Sequence, residues 1–586
     1  MRTNISMIEH SSSQDGTRIN WTYKSSSRAL YWIKFEASIM SFKKIKFHPI
    51  PIGQSSLLLI VLLVFQGMSV FAQKADEYVS IQSGEKIKSS DGNITDIIGY
   101  DESGLYVLKS KRKKHTLVRY NQALEEVISK ELEEEFEGEK HSAEYLFYFS
   151  GKLWLFSSYR DREEDELQLY QSFIDAKTLQ GQAKKKLIAN VKRTGRIFKS
   201  EGHFDLRFSK DKERIAIVTH YPYQKNEFEK LKVNLFSSET GEVQWEKEIQ
   251  IPYREDLFDI EGVKIDAKGN FYVLGKRYGD GLDGKLKEKV DGEKNYDYVV
   301  LGYFNDGKES REYLLQLEDK FISDLQLAVN ENGELICAGF YTNTDRSGLS
   351  GSYFMRLNPT TKEVLAQSLK DFNIDFVTQN FTQKEKKKAE KRDAKGKEVG
   401  LTRYELDEMV LRYDGGVMLV GEQYFVQVVT HQSPGANGAM NTTTTTHYYH
   451  NDIIVVNINA EGQIEWTDKI PKRQHTTNDG GMFNSYLLGA KGDKIYMIFN
   501  DHPKNLNLTV IPGISKFATF SKQKNSIVTL VSLDVEGRNK RMSLLSLKDE
   551  GMLSRPMVSE QVDQHTLVLL AQRGRNEKLF ILRMKE

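Results

Sequence analysis

The stretch "VNLFSSETGEVQWEKEI", Val233–Ile249, alternates Val233 and Leu235 with polar residues, breaks at Ser-Ser-Glu-Thr-Gly, and returns with Val243, Trp245 and Ile249 on odd positions. A period of two puts apolar side chains on one face of an extended strand, and the glycine-containing break is a tight turn. The same form recurs in "FMRLNPTTKEVLAQSL" (354–369), "VVNINAEGQIEWTDKI" (455–470) and "LVSLDVEGRNKRMSLL" (530–545). Upstream of these hairpins, and elsewhere along the chain, stand "GLYVLKS", "KLWLFSS", "RIAIVTH", "NFYVLGK", "ELICAGF", "GVMLVGE", "KIYMIFN" and "TLVLLAQ". Each of these β-branched and aromatic runs is entered from a polar turn and preceded by another apolar strand.

Such recurrence is an internal repeat, and its unit is a four-stranded antiparallel meander. One meander cannot bury both of its faces, whereas several stacked radially bury all of them. The fold class expected is therefore all-β: a single β-propeller over residues 73–586 with eight blades, or seven if one irregular unit is not a full blade. Aligned on the turn before each run, the innermost strands begin at Glu144, Asp205, Asp324, Glu408 and Ser485, with less regular units near Thr95, Ile260 and Met557. The last unit, "TLVLLAQRGRNEKLFILRMKE", stops after three strands, and the orphan strand "DEYVSIQSGEKI" near residue 80 is expected to complete it and close the ring.

The beginning of the chain has another chemistry. Lys43, Lys44 and Lys46 precede the apolar core Leu57–Phe65, which Val70-Phe71-Ala72 follows. This order describes a signal peptide at 40–72, cleaved after Ala72, and its apolar core is about half of the roughly 20 residues a bilayer span needs. Residues 1–39 read as an upstream extension. The mature chain is then expected to be secreted or periplasmic, associated with the outer surface, monomeric and without a membrane span. Lys+Arg of 83 against Asp+Glu of 82 leave no basic field for nucleic acid. The single cysteine, Cys337, lies in an apolar run and supports neither a disulfide framework nor a thiolate metal site.

Two segments interrupt the blade pattern. "FTQKEKKKAEKRDAKGKEVG", 381–400, reads as a solvated, charged insertion with helical pair spacing, and "ELEEEFEGEK", 131–140, as an exposed link. A long hairpin is expected over 416–457, turning at Asn437-Gly438. Its paired positions would sum to 875, setting His450 opposite Phe425, His447 opposite Val428 and His431 opposite Thr444. In that register the histidines form no three-ligand site, and no metal centre is expected there.

Glu144, Asp205, Asp324 and Glu408 share one repeat position, where they would face the channel mouth and bind a ligand or a cation. No catalytic residue emerges: there is no phosphate loop, no HExxH and no GxSxG. The segments "TGEVQW" (240–245) and "EGQIEW" (461–466) resemble the docking motif of quinoprotein dehydrogenases, which implies that Trp245 and Trp466 pack adjacent blades. No cofactor is expected, since the vicinal cysteine pair often found in that family is absent. "DGGVMLVGEQYF", "HYYHNDIIVVNINAEGQIEWTDKIPKRQ" and "DKIYMIFNDHPKNL" resemble an uncharacterised group of exported bacterial propeller-like proteins, a resemblance covering the last third of the chain. The expected function is non-enzymatic binding of a protein or glycan partner at the cell envelope. The alternatives are a glycan-active hydrolase or lyase using channel carboxylates, and a structural subunit of an envelope complex.

Overall fold

The computed structural model describes residues 75–585 apart from 183, 195–200, 225, 280–288, 291–292, 318–319, 344–347, 396–398, 435–439, 507–517, 522–525 and 547–551. The expected upstream extension, 1–39, and the expected signal peptide, 40–72, lie outside the described residues. No helix among the described residues is long and apolar enough to cross a membrane.

The chain is mostly β. Along the sequence it builds antiparallel sheets of four strands over 93–131, 142–192, 203–254, 258–315, 321–371 and 487–546, one over 404–470 to which the short strand Gln474–Thr477 adds a fifth, and a last, five-stranded one over 553–584. In chain order the sheet over 404–470 is the sixth and that over 487–546 the seventh. We refer to these as the first to eighth sheets. In the first seven, chain order and spatial order agree, as in a meander, and four-stranded antiparallel sheets of this kind are what propeller blades are made of. The eighth takes in Val79–Lys88, which pairs antiparallel with Asn576–Met584 from Val79 opposite Met584 to Lys88 opposite Asn576.

The strand alternation explains how the sheets hold together. On the second strand of the third sheet, Ile215 and Ile217 enter a core shared with the second sheet, while Ala216 and Val218 enter one shared with the fourth. Both faces are buried, so these strands read as continuous apolar runs. The pattern repeats between every successive pair of sheets. A further core joins Ile94, Leu105 and Val107 of the first sheet to Val568, Leu570 and Ile581 of the eighth. Trp245 packs on the core between the third and fourth sheets. Trp466 packs between the sixth and seventh, its indole N–H donating to the Val535 carbonyl at 2.6 Å.

First strands of neighbouring sheets lie against one another, and most carry a β-bulge near their start. The register breaks between Ile94 and Asp96, Ala143 and Tyr145, Ile260 and Gly262, Ile322 and Asp324, and Leu406 and Glu408. The corresponding strand of the third sheet, His203–Phe208, is unbroken. A bulge adds one residue and resets which face the following side chains take.

The charged insertion forms a helix, Gln383–Asp393, started by a capping box between Thr382 and Glu385. The acidic link contains the two-residue strands Glu135–Phe136 and Glu139–Lys140, paired as a small hairpin. The long hairpin is present as Val417–Pro434 and Met440–Ile458. Its register departs from the expected one. Pairs near the sheet, such as Val417 with Ile458 and Glu422 with Ile453, follow the expected sum, but an irregularity between Glu422 and Tyr424 slips the outer arm by one residue. His450 therefore faces Tyr424, His447 faces Gln427 and His431 faces Thr443. The cause is local: Gln423 opposes both Asn451 and Asp452, and Asn451 donates to the Gln423 side chain at 3.2 Å. The expected turn residues, Asn437 and Gly438, lie outside the described residues.

Candidate metal centre and acidic cleft

In the hairpin that opens the third sheet, His203 pairs with His220 and Asp205 with Val218. His203 and Asp205 are two residues apart and so share a face, and cross-strand pairing brings His220 onto it. The two imidazoles stack in parallel, their centroids 4.3 Å apart. His220 Nε2 lies 3.5 Å from Asp205 Oδ2, and one ligand atom from each of the three residues falls within 4.8 Å of the others. His203 is exposed, Asp205 is half-buried, and His220 is only 9% exposed. Among the described residues, His220 Nε2 has no hydrogen-bond partner.

Electrostatics set the protonation of the group. Desolvation by the groups crowded around it, and after that the neighbouring His220, push the His203 imidazole down to about 4, although one side of the ring faces solvent. Burial alone would raise the Asp205 carboxyl, but the approach of His220 Nε2 at 3.5 Å and the charge of Arg207 outweigh it and hold Asp205 at about 2. Arg207 donates to Asp205 Oδ2 at 3.0 Å.

These residues line one part of a cleft of about 340 Å³ between the third and fourth sheets. Its walls carry six carboxylates, Glu201, Asp205, Glu229, Glu255, Asp259 and Glu261, against the single guanidinium of Arg207, with Tyr221, Tyr223 and Phe258 between them. Two of the acids are paired outward, Glu201 with Arg193 at 2.9 Å and Glu261 with Lys276 at 2.9 Å. Glu229 has the opposite condition. Burial, and after it the charges of Glu255 and Asp259, raise its carboxyl to about 8. The raised Glu229 carboxyl reports a local negative potential from Glu255 and Asp259, which favours an incoming cation.

Of the four acids singled out by repeat position, only Asp205 lines this cleft. Glu144, itself the bulged residue of its strand, accepts from the Ser158 hydroxyl of its own sheet at 2.5 Å and is raised by burial. Asp324 accepts from the Leu406 amide of the sixth sheet at 2.8 Å and joins two sheets; burial raises it too. Glu408 is exposed. Its predecessor Asp407 is the buried acid, accepting from the Tyr486 hydroxyl at 2.9 Å. Repeat position also passes over Asp96, which follows the bulge of the first sheet as Asp324 follows that of the fifth. The sequence reading missed His203 and His220 as well. Their signal was "HFD" followed by a strand ending in histidine, legible only once the hairpin register is written out.

No family model matches the chain, and no curated protein does. Among solved structures the chain is similar to prolyl oligopeptidase B from Galerina marginata, at 10% identity and TM-score 0.35 over 86% of this chain and 55% of that one. The chain thus spans about half the length of that enzyme. It is also similar to the β-propeller domain of the Trilobed protease from Pyrococcus furiosus, at 10% identity and TM-score 0.32 over 78% and 97% of the two chains. A third likeness is to Drosophila Plexin A in complex with Semaphorin 1b, at 11% identity and TM-score 0.28 over 86% and 88%. At such scores these likenesses carry no argument, and none of the three names the exported bacterial group that the last third of the sequence resembles. The fold rests on the sheets themselves: a mostly-β chain of four-stranded antiparallel units, consistent with the blades of a propeller.

Proposed function

We propose that the mature chain is an exported, eight-bladed propeller closed by Val79–Lys88, and that it is a binding module rather than an enzyme. Its recognition site is the cleft between the third and fourth blades, which takes a basic side chain of a protein partner at the cell envelope. Closure is supported by the cyclic order of the cores, the eighth sheet meeting the first. The channel is supported by electrostatics. Burial and then Arg207 of the third sheet lower Lys264 of the fourth, while Glu408 of the sixth raises it, so first strands of non-adjacent sheets sense one another. Export is supported by the basic, apolar and small-residue order of 40–72.

The observation that carries the binding reading is the trio Glu229, Glu255 and Asp259. An incoming ammonium or guanidinium relieves their mutual repulsion and is met by aromatic walls. The test is capture from envelope extracts by the mature chain, run beside a glycan array. Capture lost on Glu255→Gln with Asp259→Asn supports the proposal, glycan binding alone replaces the partner class, and failure of both arms ends the binding reading.

A pH dependence follows. Glu229 titrates at about 8, so binding a cation expels its proton. Affinity is expected to rise with pH up to about 8, by at most about tenfold per unit for one proton, and to level off above it. Calorimetric titrations of a captured partner in buffers of different ionisation enthalpy read the proton directly. Glu229→Gln should flatten the profile; an unchanged profile in that variant would show that another group is responsible.

A further inference from the structure

We propose that His203, Asp205 and His220 form a binding site for a divalent transition metal ion of the zinc class, held by two imidazoles and one carboxylate with one coordination position open to the cleft. The inference goes beyond the binding reading above and does not depend on which partner the cleft takes.

Four observations carry it. The donor set is of the right chemistry: two imidazoles with a carboxylate suit a borderline ion, whereas calcium and magnesium prefer all-oxygen shells. The spacing is close to that of a formed site. Around an ion with bonds of about 2.0–2.1 Å, tetrahedral donors sit about 3.3 Å apart, and His220 Nε2 to Asp205 Oδ2 already measures 3.5 Å. His203 stacks on His220 at the exposed side of the group, and a turn of its ring out of that stack would close the rest of the 4.8 Å set. Finally, His220 is largely buried, and its Nε2 faces Asp205 with no hydrogen-bond partner among the described residues. A buried nitrogen lone pair or N–H without a partner is unfavourable, and a metal ion would satisfy it.

The scaffold suits the role. His203–Phe208 is a first strand with an unbroken register, so the two ligands it supplies keep their spacing. Arg207 donates to the same Asp205 oxygen, Oδ2, at 3.0 Å and acts as the internal counter-ion when no metal is bound. Carboxylates of the surrounding cleft raise the local concentration of any cation.

The test is zinc titration of the chelator-treated mature protein by calorimetry, with Co²⁺ as a spectroscopic substitute. One zinc per chain is expected, with a Co²⁺ visible spectrum of nitrogen and oxygen ligation and no competition from excess Ca²⁺. His203→Ala, on an exposed residue that leaves the core untouched, should weaken binding at least about 100-fold, the upper end of what even outer-shell losses cost. Asp205→Asn and His220→Ala should do the same. The control is His447→Ala, which breaks the 2.9 Å contact between His447 and His475 on the hairpin, the other close histidine pair among the described residues, and should leave zinc binding unchanged. Absence of zinc binding, zinc binding unaltered by His203→Ala, or binding lost with His447→Ala instead would each overturn the proposal.

Discussion

Replacing Lys472 by alanine is expected to destabilise the sixth sheet by about 3–5 kcal/mol, the range for stripping one partner from a buried ion pair. Lys472 and Glu422 are both fully buried, with Nζ 2.6 Å from Glu422 Oε1. The same ammonium donates to the His450 carbonyl at 3.1 Å and to Gln474 at 3.0 Å, and His450 Nδ1 lies 2.7 Å from the second Glu422 oxygen. Alanine would leave the Glu422 carboxylate in a low-dielectric interior without its ammonium partner. Urea denaturation followed by the fluorescence of Trp466, which packs in the same sheet, measures the loss. The double variant Lys472→Met with Glu422→Gln separates the two contributions. If the penalty is the uncompensated charge, the double variant should recover most of the stability; if it is lost packing, the double variant should be no better than the single.

Removing the strand Val79–Lys88 is expected to make the protein self-associate more than the full chain does. That strand covers the edge of Asn576–Met584 and contributes Val79, fully buried, to the core between the seventh and eighth sheets. Without it a row of backbone amides and carbonyls stands open beside the apolar residues Phe580 and Leu582. Light scattering on a chain starting at residue 89 should show larger assemblies than the full chain forms, and a synthetic peptide of residues 75–88 added in trans should reverse the association. A truncated chain that associates no more than the full chain and melts at the same temperature would mean that the eighth sheet is complete without this strand.

How far these features could be read from sequence depends on the range of the interaction behind them. Strand alternation is local, so the runs "RIAIVTH" and "NFYVLGK" give their strands and their two buried faces directly. The hairpin register was legible near the sheet, where Val417 pairs with Ile458, and failed beyond Gln423, because a bulge is chosen by cross-strand packing that the turn sequence does not encode. Bulges also explain the fate of the four acids. Aligned in sequence, Glu144, Asp205, Asp324 and Glu408 looked equivalent, but one is the bulged residue, two follow a bulge and one lies on an unbroken strand. They are held by different partners, and only Asp205 reaches the cleft. The histidines of the candidate metal centre were missed because they lie on two strands, and no spacing along one strand shows them. By contrast, Cys337 was readable: it is fully buried, and burial pushes its thiol up to about 12, as its apolar run implied.

The pairing of Val79 with Met584 has a kinetic consequence. The other sheets are built from neighbouring segments and can assemble as soon as each has emerged, whereas this pairing must wait until Asn576–Met584, about 490 residues downstream, is available. Loop-closure entropy then has to be met in one late event that joins the two ends. A chain that stalls before that step presents unsealed strands at both termini, the state most exposed to aggregation and to proteolysis. Refolding should therefore show a fast phase for the interior sheets and a slow final phase that disappears when residues 75–88 are removed.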